Sequence, residues 1–133
     1  MNRDGAVQAL YRSLPEGERS LLSTWFRDGM EASNRPAETA RRYCAKDGTA
    51  LVGFLDVSRW GDATLAVAQS HRGRGVGRAL LDAALQDGPL TYTVAYRNKP
   101  SLALARSAGG RPVRRFTGTD GRRYAVFAFD ERS

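Results

Sequence analysis

Residues 65–78, which read LAVAQSHRGRGVGR, form an apolar run that passes into a glycine-rich loop and then into the start of a helix. Gly73, Gly75 and Gly77 stand at alternate positions, where they permit positive φ and a close approach of a ligand to the backbone. Successive N–H groups at the positive end of a helix form a cradle for phosphate oxygens. The cationic side chains that add charge to this cradle are Arg72, Arg74 and Arg78. The segment therefore predicts a phosphate-binding loop between a strand and a helix.

The sequence on either side of the loop predicts a strand–helix–strand unit. The helix covers Val76–Gln86, has its apolar residues in one stripe, and ends at Gly88 and Pro89 in the usual order. Ala63–Ala68 before it and Leu90–Tyr96 after it have the pattern of strands. Two strands joined in this way pair in parallel through a right-handed crossover.

The remaining elements surround this unit. Residues 5–31 predict two helices, because apolar residues recur at helical spacing before and after Pro15. Alternating patterns and turn residues predict the other elements. They are the strands Arg42–Lys46 and Ala50–Val57 around a tight turn at Asp47-Gly48, the short helix Pro100–Ala108, and the hairpin strands Val113–Thr117 and Arg122–Phe129. The first three strands form an antiparallel meander, and the order predicts one mixed α+β domain over residues 1–133, with a helical part over residues 1–40.

Composition bounds the class of partner and the compartment. The formal net charge is +7, and arginine supplies nearly all of it, which favours an anionic partner. No apolar run approaches the roughly 18 residues of a membrane span, and Met1–Leu10 is too polar for a secretory signal. A single cysteine, Cys44, forms no internal disulfide, so we expect a cytoplasmic protein. A single histidine, His71, excludes a multi-histidine metal site.

Two common phosphate-binding motifs do not fit the loop. A Walker loop requires Gly-Lys-Ser/Thr, whereas Gly77 is followed by Arg78 and Ala79. A dinucleotide fingerprint requires G-x-G-x-x-G, whereas the glycines after Gly73 come at every second position. The ligand class must therefore be sought elsewhere.

Two further motifs lie in the same region. The run from Arg72 to Gly77 reads R-x-x-G-x-G, and the run from Asn98 to Leu104 reads N-x-x-S-x-x-L. At this spacing they resemble the two motifs of the GNAT superfamily of acyl-CoA-dependent N-acyltransferases, and the resemblance covers Tyr43 to the C-terminus. It implies a mixed, mostly antiparallel sheet that is splayed between two parallel central strands, flanked by helices and followed by a C-terminal β-hairpin. Residues 63–110 would be the acyl-CoA-binding core.

The resemblance also implies a V-shaped opening between the two central strands that binds acetyl-CoA or another acyl-CoA as cosubstrate, without a metal. Pantetheine would pair with the first of these strands, and the pyrophosphate would take N–H groups from the loop. The side chain of Asn98 would reach the pantetheine arm or the reacting centre. The cofactor-binding residues implied in this way are Leu65, Ala66, Val67, Arg72, Gly73, Arg74, Gly75, Val76, Gly77, Arg78 and Asn98.

The sequence departs from the family pattern at the usual catalytic positions. The tyrosine that many members carry seven residues after the asparagine is Ala105, and the glutamate base that members acetylating ribosomal proteins often carry is Thr93. The helical first 30 residues also lack the usual first strand. Tyr96 is the first candidate for the missing acid and Ser101 the second, and the substrate or a partner would supply the base.

Three functions follow. The first is an N-acyltransferase that moves an acetyl or short acyl group to a primary amine of a small molecule or peptide, of acidic character if the arginines of residues 106–123 attract it. The second is an acyl-CoA-binding module of the same fold with little or no catalysis, which Ala105 and Thr93 would permit. The third is a basic nucleic-acid-binding protein, which is disfavoured because aromatic residues are not interleaved with the arginines at stacking spacing. The acceptor, the acyl length and the choice between monomer and homodimer stay open.

Overall fold

The computed structural model describes residues 2–130, and its elements follow the predicted order closely. In chain order they are α1 (Arg3–Ser13), α2 (Glu16–Arg19), α3 (Thr24–Ala32), β1 (Thr39–Asp47), β2 (Ala50–Ser58), β3 (Asp62–Val67), a 3₁₀ turn (Gln69–His71), α4 (Val76–Gln86), β4 (Leu90–Ala95), α5 (Lys99–Ser107), β5 (Arg111–Thr117) and β6 (Arg123–Phe129). The bounds of α4 are those predicted.

A six-stranded sheet in the order β1-β2-β3-β4-β6-β5 organises the fold. The first three strands form the expected antiparallel meander, and β5 and β6 form the C-terminal hairpin. β3 and β4 are the parallel pair, and their pairing is confined to Asp62 with Thr91 and Ala63 with Tyr92. Beyond these residues the two strands diverge. The mixed, mostly antiparallel sheet that is splayed between its central strands is therefore confirmed.

Helices cover both faces of this sheet. On one face α4 and α5 form a core with the strands that includes Leu55, Leu81 and Phe127. On the other face α1 and α3 form a second core, in which Phe26 stacks on Phe54 with ring centroids 5.2 Å apart. Each fully buried side chain of this size contributes about 1.5–3 kcal/mol. The two cores therefore fix the sheet from both sides and leave the gap between β3 and β4 as the place where a ligand can enter.

The N-terminal region corrects the prediction of two helices. The second predicted helix is interrupted, because α2 ends at Arg19 and α3 begins at Thr24. The Ser23 N–H donates to Thr64 Oγ1 at 3.3 Å, and the Ser23 hydroxyl donates to Asp62 Oδ2 at 3.0 Å. In a continuous helix that N–H would donate to the carbonyl four residues earlier. At residues 20–23 the contacts with β3 therefore interrupt the helix that the spacing of apolar residues predicts.

The described part of the N-terminus adds no strand to the sheet. From residue 2 to residue 38 the chain is helical or irregular, and the first strand is β1 at Thr39. Within residues 2–130, no helix has both the length and the apolar character that crossing a bilayer requires.

Candidate active site

A cleft of about 700 Å³ opens where β3 and β4 diverge. Its walls come from the N-terminal helices, β3, the glycine-rich loop with α4, and the start of α5. The side chains that line it are Leu14, Glu18, Leu21, Leu22, Leu65, Ala66, Val67, His71, Arg72, Gly73, Gly75, Val76, Gly77, Arg78, Arg97, Asn98, Pro100, Ser101 and Leu104. Every cofactor-binding residue that the sequence predicted lies in this wall except Arg74, which is exposed beside it.

Within residues 2–130, the edge of β3 that faces the cleft pairs with no strand after Ala63. Ala68 N–H donates to the Val52 carbonyl of β2 at 2.8 Å. Because main-chain groups alternate sides along a strand, those of Leu65 and Val67 point away from β2 and into the cleft. Those of Ala66 point toward β2, so Ala66 contributes its side chain to the wall. A ligand with amide groups can therefore pair with β3 as an added strand would.

The glycine-rich loop presents its backbone to the same cleft. Gly73 and Gly75 have φ of +75° and +83°, and α4 begins directly after them without a side-chain cap. Within residues 2–130, none of the N–H groups from Gly73 to Arg78 has a hydrogen-bond partner. Six free donors at the positive end of a helix form an anion-binding cradle. This geometry fits the diphosphate that the sequence predicted for the loop.

The three arginines of the loop have different surroundings. The Arg72 guanidinium donates to the Val67 carbonyl at 3.1 Å and, through both terminal nitrogens, to the Glu18 carboxylate of α2. This ion pair lowers the pKa of Glu18. Arg78 donates to Asp82 at 3.2 Å and to the Ser107 carbonyl at 3.0 Å, which joins α4 to the end of α5. Arg72 therefore lies across the β3 edge on which a ligand would pair.

The histidine of the loop serves to position it. His71 Nε2 lies 2.9 Å from Asp47 Oδ2 at the end of β1, and its Nδ1 lies 2.7 Å from the neighbouring Ser70 Oγ. The contact with His71 lowers the pKa of Asp47. These two contacts connect the glycine-rich loop to the turn between β1 and β2, and they fix the position of the loop.

Asn98 and Ser101 stand at the start of α5, opposite the β3 edge. Asn98 caps the helix, since its Oδ1 accepts from the Ser101 N–H at 3.3 Å. Its amide N–H groups remain available to the cleft. The Tyr92 hydroxyl donates to Ser101 Oγ at 3.1 Å, and burial raises the pKa of Tyr92 to about 12. Because Ser101 accepts from Tyr92, its own hydroxyl proton can point into the cleft.

Tyr96 has a different position. Its ring is half-buried, packs against the core beneath α5, and carries the Arg123 guanidinium at 5.1 Å from its centroid. It is not among the side chains that line the cleft, whereas Ser101 is. Of the two candidate acids, Ser101 is therefore the better placed.

The structure shows what surrounds Ala105 and Thr93, the two positions that depart from the family pattern. Ala105 is fully buried in the core, and a Cβ on the adjacent Gly110 would meet its carbonyl at 2.9 Å. Thr93 lies on β4, and its hydroxyl donates to Asp62 Oδ1 at 3.2 Å. Asp62 also accepts from the Trp25 indole at 2.9 Å, and burial raises its pKa. A carboxylate therefore does approach the Thr93 position, from the neighbouring strand.

Four acidic side chains could approach a substrate amine, and nothing in their spacing in the sequence selects one: Glu31, Glu38, Asp56 and Asp62. Asp56 is fully buried and paired with Arg42, whose Nε lies 2.7 Å from it. Glu38 immediately precedes β1, and its carbonyl accepts from the Arg59 N–H. Glu31 is exposed on α3. Asp62 contacts β4, where it accepts from the Thr93 hydroxyl.

Sequence reasoning missed the contribution of the N-terminal helices to the cleft. Leu14, Glu18, Leu21 and Leu22 lie in its wall, more than 40 residues before the loop that they cover. Their apolar spacing is equally typical of a helix buried in the core, so the pattern carried no signal of a cleft. The break after Arg19 that brings Leu21 and Leu22 to the site depends on contacts with β3.

Comparison with known proteins agrees with this geometry. The model of the acetyltransferase (GNAT) family matches residues 7–109 of the chain. No curated protein matches its sequence.

Several solved structures share the fold. A mutant of the spermidine N-acetyltransferase SpeG from Vibrio cholerae has a TM-score of 0.75 at 14% identity, and the alignment covers 98% of this chain and 91% of that chain. The ribosomal-protein-S18-alanine N-acetyltransferase from Escherichia coli has a TM-score of 0.69 at 18% identity, with coverages of 100% and 92%. The protein yncA from Salmonella typhimurium, with its cofactor acetyl-CoA, has a TM-score of 0.62 at 13% identity. That alignment covers 69% of this chain, which spans 65% of the length of yncA.

Proposed function

Because the chain belongs to the acetyltransferase (GNAT) family, we propose that it transfers an acetyl or other short acyl group from acyl-coenzyme A to a primary amine of a small molecule or peptide. One observation carries the proposal. A single cleft joins the β3 edge, which pairs with no strand after Ala63, to a glycine-rich loop whose N–H groups from Gly73 to Arg78 have no hydrogen-bond partner within residues 2–130. An elongated ligand with amides in one part and a diphosphate in another satisfies both.

The residues of the chain divide the binding of this ligand between them. The N–H groups from Gly73 to Arg78 would bind the diphosphate, and Arg72 and Arg74 would add charge-assisted contacts. The main-chain groups of Leu65 would pair with an amide of the pantetheine arm, which leaves the Val67 N–H for the reacting end. The Asn98 amide, in the cleft wall, would face this arm from the opposite side.

The chemistry requires groups on either side of a reacting carbonyl. When bound, acyl-coenzyme A supplies a thioester as the acyl donor. The Val67 N–H, which points into the cleft, would donate to the oxygen on which negative charge develops, and one such donor is commonly worth about 3–4 kcal/mol. The Ser101 hydroxyl would donate to the leaving sulfur. Because a thiol has a pKa near ~8.5, a hydrogen bond in place of a strong acid is sufficient there.

The acceptor amine must be neutral before it attacks. An α-amine has a reference pKa near ~8, so roughly one in ten is neutral at pH 7, whereas a lysine amine with a pKa near ~10.4 is neutral in far fewer molecules. Glu18, the acidic residue in the cleft wall, is held by Arg72, and Asp62 does not line the cleft. With no unpaired carboxylate among the described lining residues to act as a base, an α-amine or another amine of low pKa is favoured as acceptor.

Several broader features belong to the same proposal. The chain would act as one acyltransferase domain over residues 1–133, with its cofactor-binding core at residues 63–110, as a monomer or homodimer. Cys44 is a free, half-buried thiol, which supports a reducing compartment such as the cytoplasm.

Two measurements test the proposal together. Calorimetry with coenzyme A reports binding, and thiol release from acetyl-coenzyme A with a panel of polyamines, amino acids and short peptides reports transfer, with mass spectrometry of the acetylated product. We expect micromolar binding and turnover with at least one α-amine. Binding without transfer to any amine would favour the acyl-CoA-binding module without chemistry, and loss of both would contradict the assignment of the cleft.

A further inference from the structure

The positive charge of the protein is concentrated in its C-terminal quarter. Residues 97–130 contain eight arginine and lysine side chains and two aspartates, a net charge of +6. Residues 1–96 contain twelve cationic and eleven anionic side chains, so their charges nearly cancel. Six of the seven net positive charges therefore lie in α5, the hairpin and the turn before α5, and this concentration needs an explanation.

The hairpin that carries this charge lies beside the cleft. β6 pairs with β4, with Ala95 opposite Tyr124, and the Tyr96 N–H donates to the Arg123 carbonyl at 2.9 Å. The tip of the hairpin therefore follows the end of β4 at which the cleft opens. At this tip Arg122 donates to Ser20 Oγ at 3.2 Å, next to the linker between α2 and α3.

We define the basic rim as Arg97, Arg114, Arg115 and Arg123. All four side chains are exposed, and Arg97 lines the cleft itself. Among residues 2–130 none of them has an acidic partner within ion-pair distance, whereas the other hairpin arginines, Arg111 and Arg122, face Asp130 and Asp120. Arg114 and Arg115 are consecutive on the edge strand β5 and therefore point to opposite faces of the hairpin. No acidic side chain among residues 2–130 neutralises the rim.

Aromatic rings hold two of these guanidinium groups. Arg114 lies over Phe116 at 5.1 Å from the ring centroid, and Arg123 lies over Tyr96 at 5.1 Å. The other face of Phe116 is stacked on Tyr124, with centroids 5.2 Å apart. Nucleobases bind to free ring faces, and those of Phe116 are both covered. A guanidinium that is held flat on a ring presents its N–H edge, which suits the two oxygens of a carboxylate.

We propose that the basic rim binds an acidic segment of a peptide or protein acceptor whose amine enters the cleft, an inference that rests on the transfer function proposed above. β5 lies two strands from β4, which is about 10 Å at ~4.8 Å per strand spacing. An extended peptide covers this distance in about three residues at ~3.3 Å each. Carboxylates at the third to fifth residue after the reacting amine therefore reach the rim.

The test uses matched peptides and matched variants of the whole chain. Peptides that begin with Ala, Gly, Ser or Met carry Glu, Gln or Lys at positions three to five. The rim variant is Arg114→Gln/Arg115→Gln, and the control is Arg12→Gln/Arg59→Gln, which removes the same charge from exposed positions elsewhere. Both thiol release and fluorescence anisotropy of labelled peptides in the presence of coenzyme A are measured, because anisotropy requires no turnover.

We expect the Glu peptides to exceed the Gln peptides about tenfold in affinity and in kcat/KM at low salt, which is what a few exposed ion pairs supply. In the rim variant we expect the preference for the Glu peptides to fall to about twofold, and in the control variant we expect it to stay at about tenfold. The variant Arg114→Glu/Arg115→Glu should instead prefer the Lys peptides. Salt near 0.5 M weakens it, because the Debye length falls well below ~10 Å. The turnover of a small neutral amine stays unchanged in the rim variant.

The inference would be overturned if the Glu peptides bound no more tightly than the Gln peptides in the anisotropy measurement. It would also be overturned if the rim and control variants lost the preference equally. The third contradicting result is that a single-stranded DNA of about 20 nucleotides binds more tightly than the peptides through the same arginines. Failure of the transfer function gives a different pattern. In that case no amine is acetylated, while the Glu peptides still bind through Arg114 and Arg115.

Discussion

The two ends of the cleft are built by different means. At the end formed by the glycine-rich loop and the β3 edge, the groups that face the cleft are backbone N–H and C=O groups, fixed by Gly73 and Gly75 and by the start of α4. At the end formed by β4, α5 and the hairpin, they are side chains from distant segments, among them Ser101 and Arg97. A binding site made of backbone groups keeps its donors and acceptors when the side chains of its residues are replaced. A binding site made of side chains changes with each substitution.

This difference explains where the chain keeps to its family and where it departs from it. A diphosphate is the same in every acyl-CoA, so a backbone cradle can be retained while the surrounding residues vary. The acceptor differs from one enzyme to the next, and here Ala105 is buried and Thr93 is backed by Asp62. The acceptor end is therefore where the specificity of this chain should be sought.

The largest effect is expected at the backbone end. Gly75→Val places a β-branched residue at φ +83°, where a side chain costs about 1–2 kcal/mol, and the helix start must shift to relieve it. Hydrogen bonds to a charged group are worth about 1.5–3 kcal/mol each. The loss of one or two of them should raise the Kd for coenzyme A on the order of 100-fold, as calorimetry can measure.

Gly121→Val is the matched control for this substitution. Gly121 also has positive φ, at +78°, and a Cβ there meets no atom within 4 Å, but it lies in the turn between β5 and β6. We expect a similar loss of stability and a Kd within about twofold of wild type. Equal effects of the two variants on coenzyme A would show that the loop acts only through stability.

A smaller effect is expected at the side-chain end. Ser101→Ala removes the hydroxyl that faces the cleft, and because a hydrogen bond to a developing charge is worth about 2 kcal/mol, kcat should fall about 30-fold with coenzyme A affinity unchanged. Tyr96→Phe should leave kcat within about twofold, since the Tyr96 ring does not line the cleft. Single-turnover kinetics with each variant decide between the two acids, and the opposite ranking would return the role to Tyr96.

Much of the fold could be predicted because its signals are local. The stripe of Val76–Gln86, the turn residues around Gly48 and the alternation along the hairpin each act within about ten residues, and the structure has these elements at nearly the predicted bounds. The parallel pairing of β3 with β4 follows from the helix between them. The prediction that the loop is a phosphate cradle rests on equally local signals, since its glycines and its helix lie within one run of sequence.

The acceptor end could not be predicted, because its contacts join residues far apart in sequence. The pair Glu18–Arg72 and the contact Thr93–Asp62 span 54 and 31 residues, and no pattern in a single sequence specifies either. The same holds for the break between α2 and α3, where Ser23 bonds to β3. Periodicity predicts a continuous helix there, and only the tertiary contacts overrule it.

The smallest effect concerns a contact between the N-terminal helices and the glycine-rich loop at the backbone end of the cleft. In the structure the Glu18 carboxylate of α2 holds the Arg72 guanidinium, and Arg72 in turn covers the Val67 carbonyl on the β3 edge. A diphosphate and Glu18 therefore compete for the same cation. Since an exposed ion pair is worth about 0.2–1 kcal/mol, Glu18→Gln should lower the Kd for coenzyme A about threefold.

The competition between a diphosphate and Glu18 for Arg72 should depend on pH, and this dependence provides a control for the prediction. Arg72 lowers the pKa of Glu18, so the ion pair is intact above the ordinary range of a glutamate and is lost as the pH falls through the lowered pKa. The difference in Kd between wild type and Glu18→Gln should therefore be full at pH 7 and disappear once the pH falls below the lowered pKa of Glu18. Glu16→Gln, which removes an exposed carboxylate from the same helix, should leave Kd unchanged at every pH. If Glu16→Gln tightened binding equally, the effect would come from the net charge of α2 and not from the ion pair with Arg72.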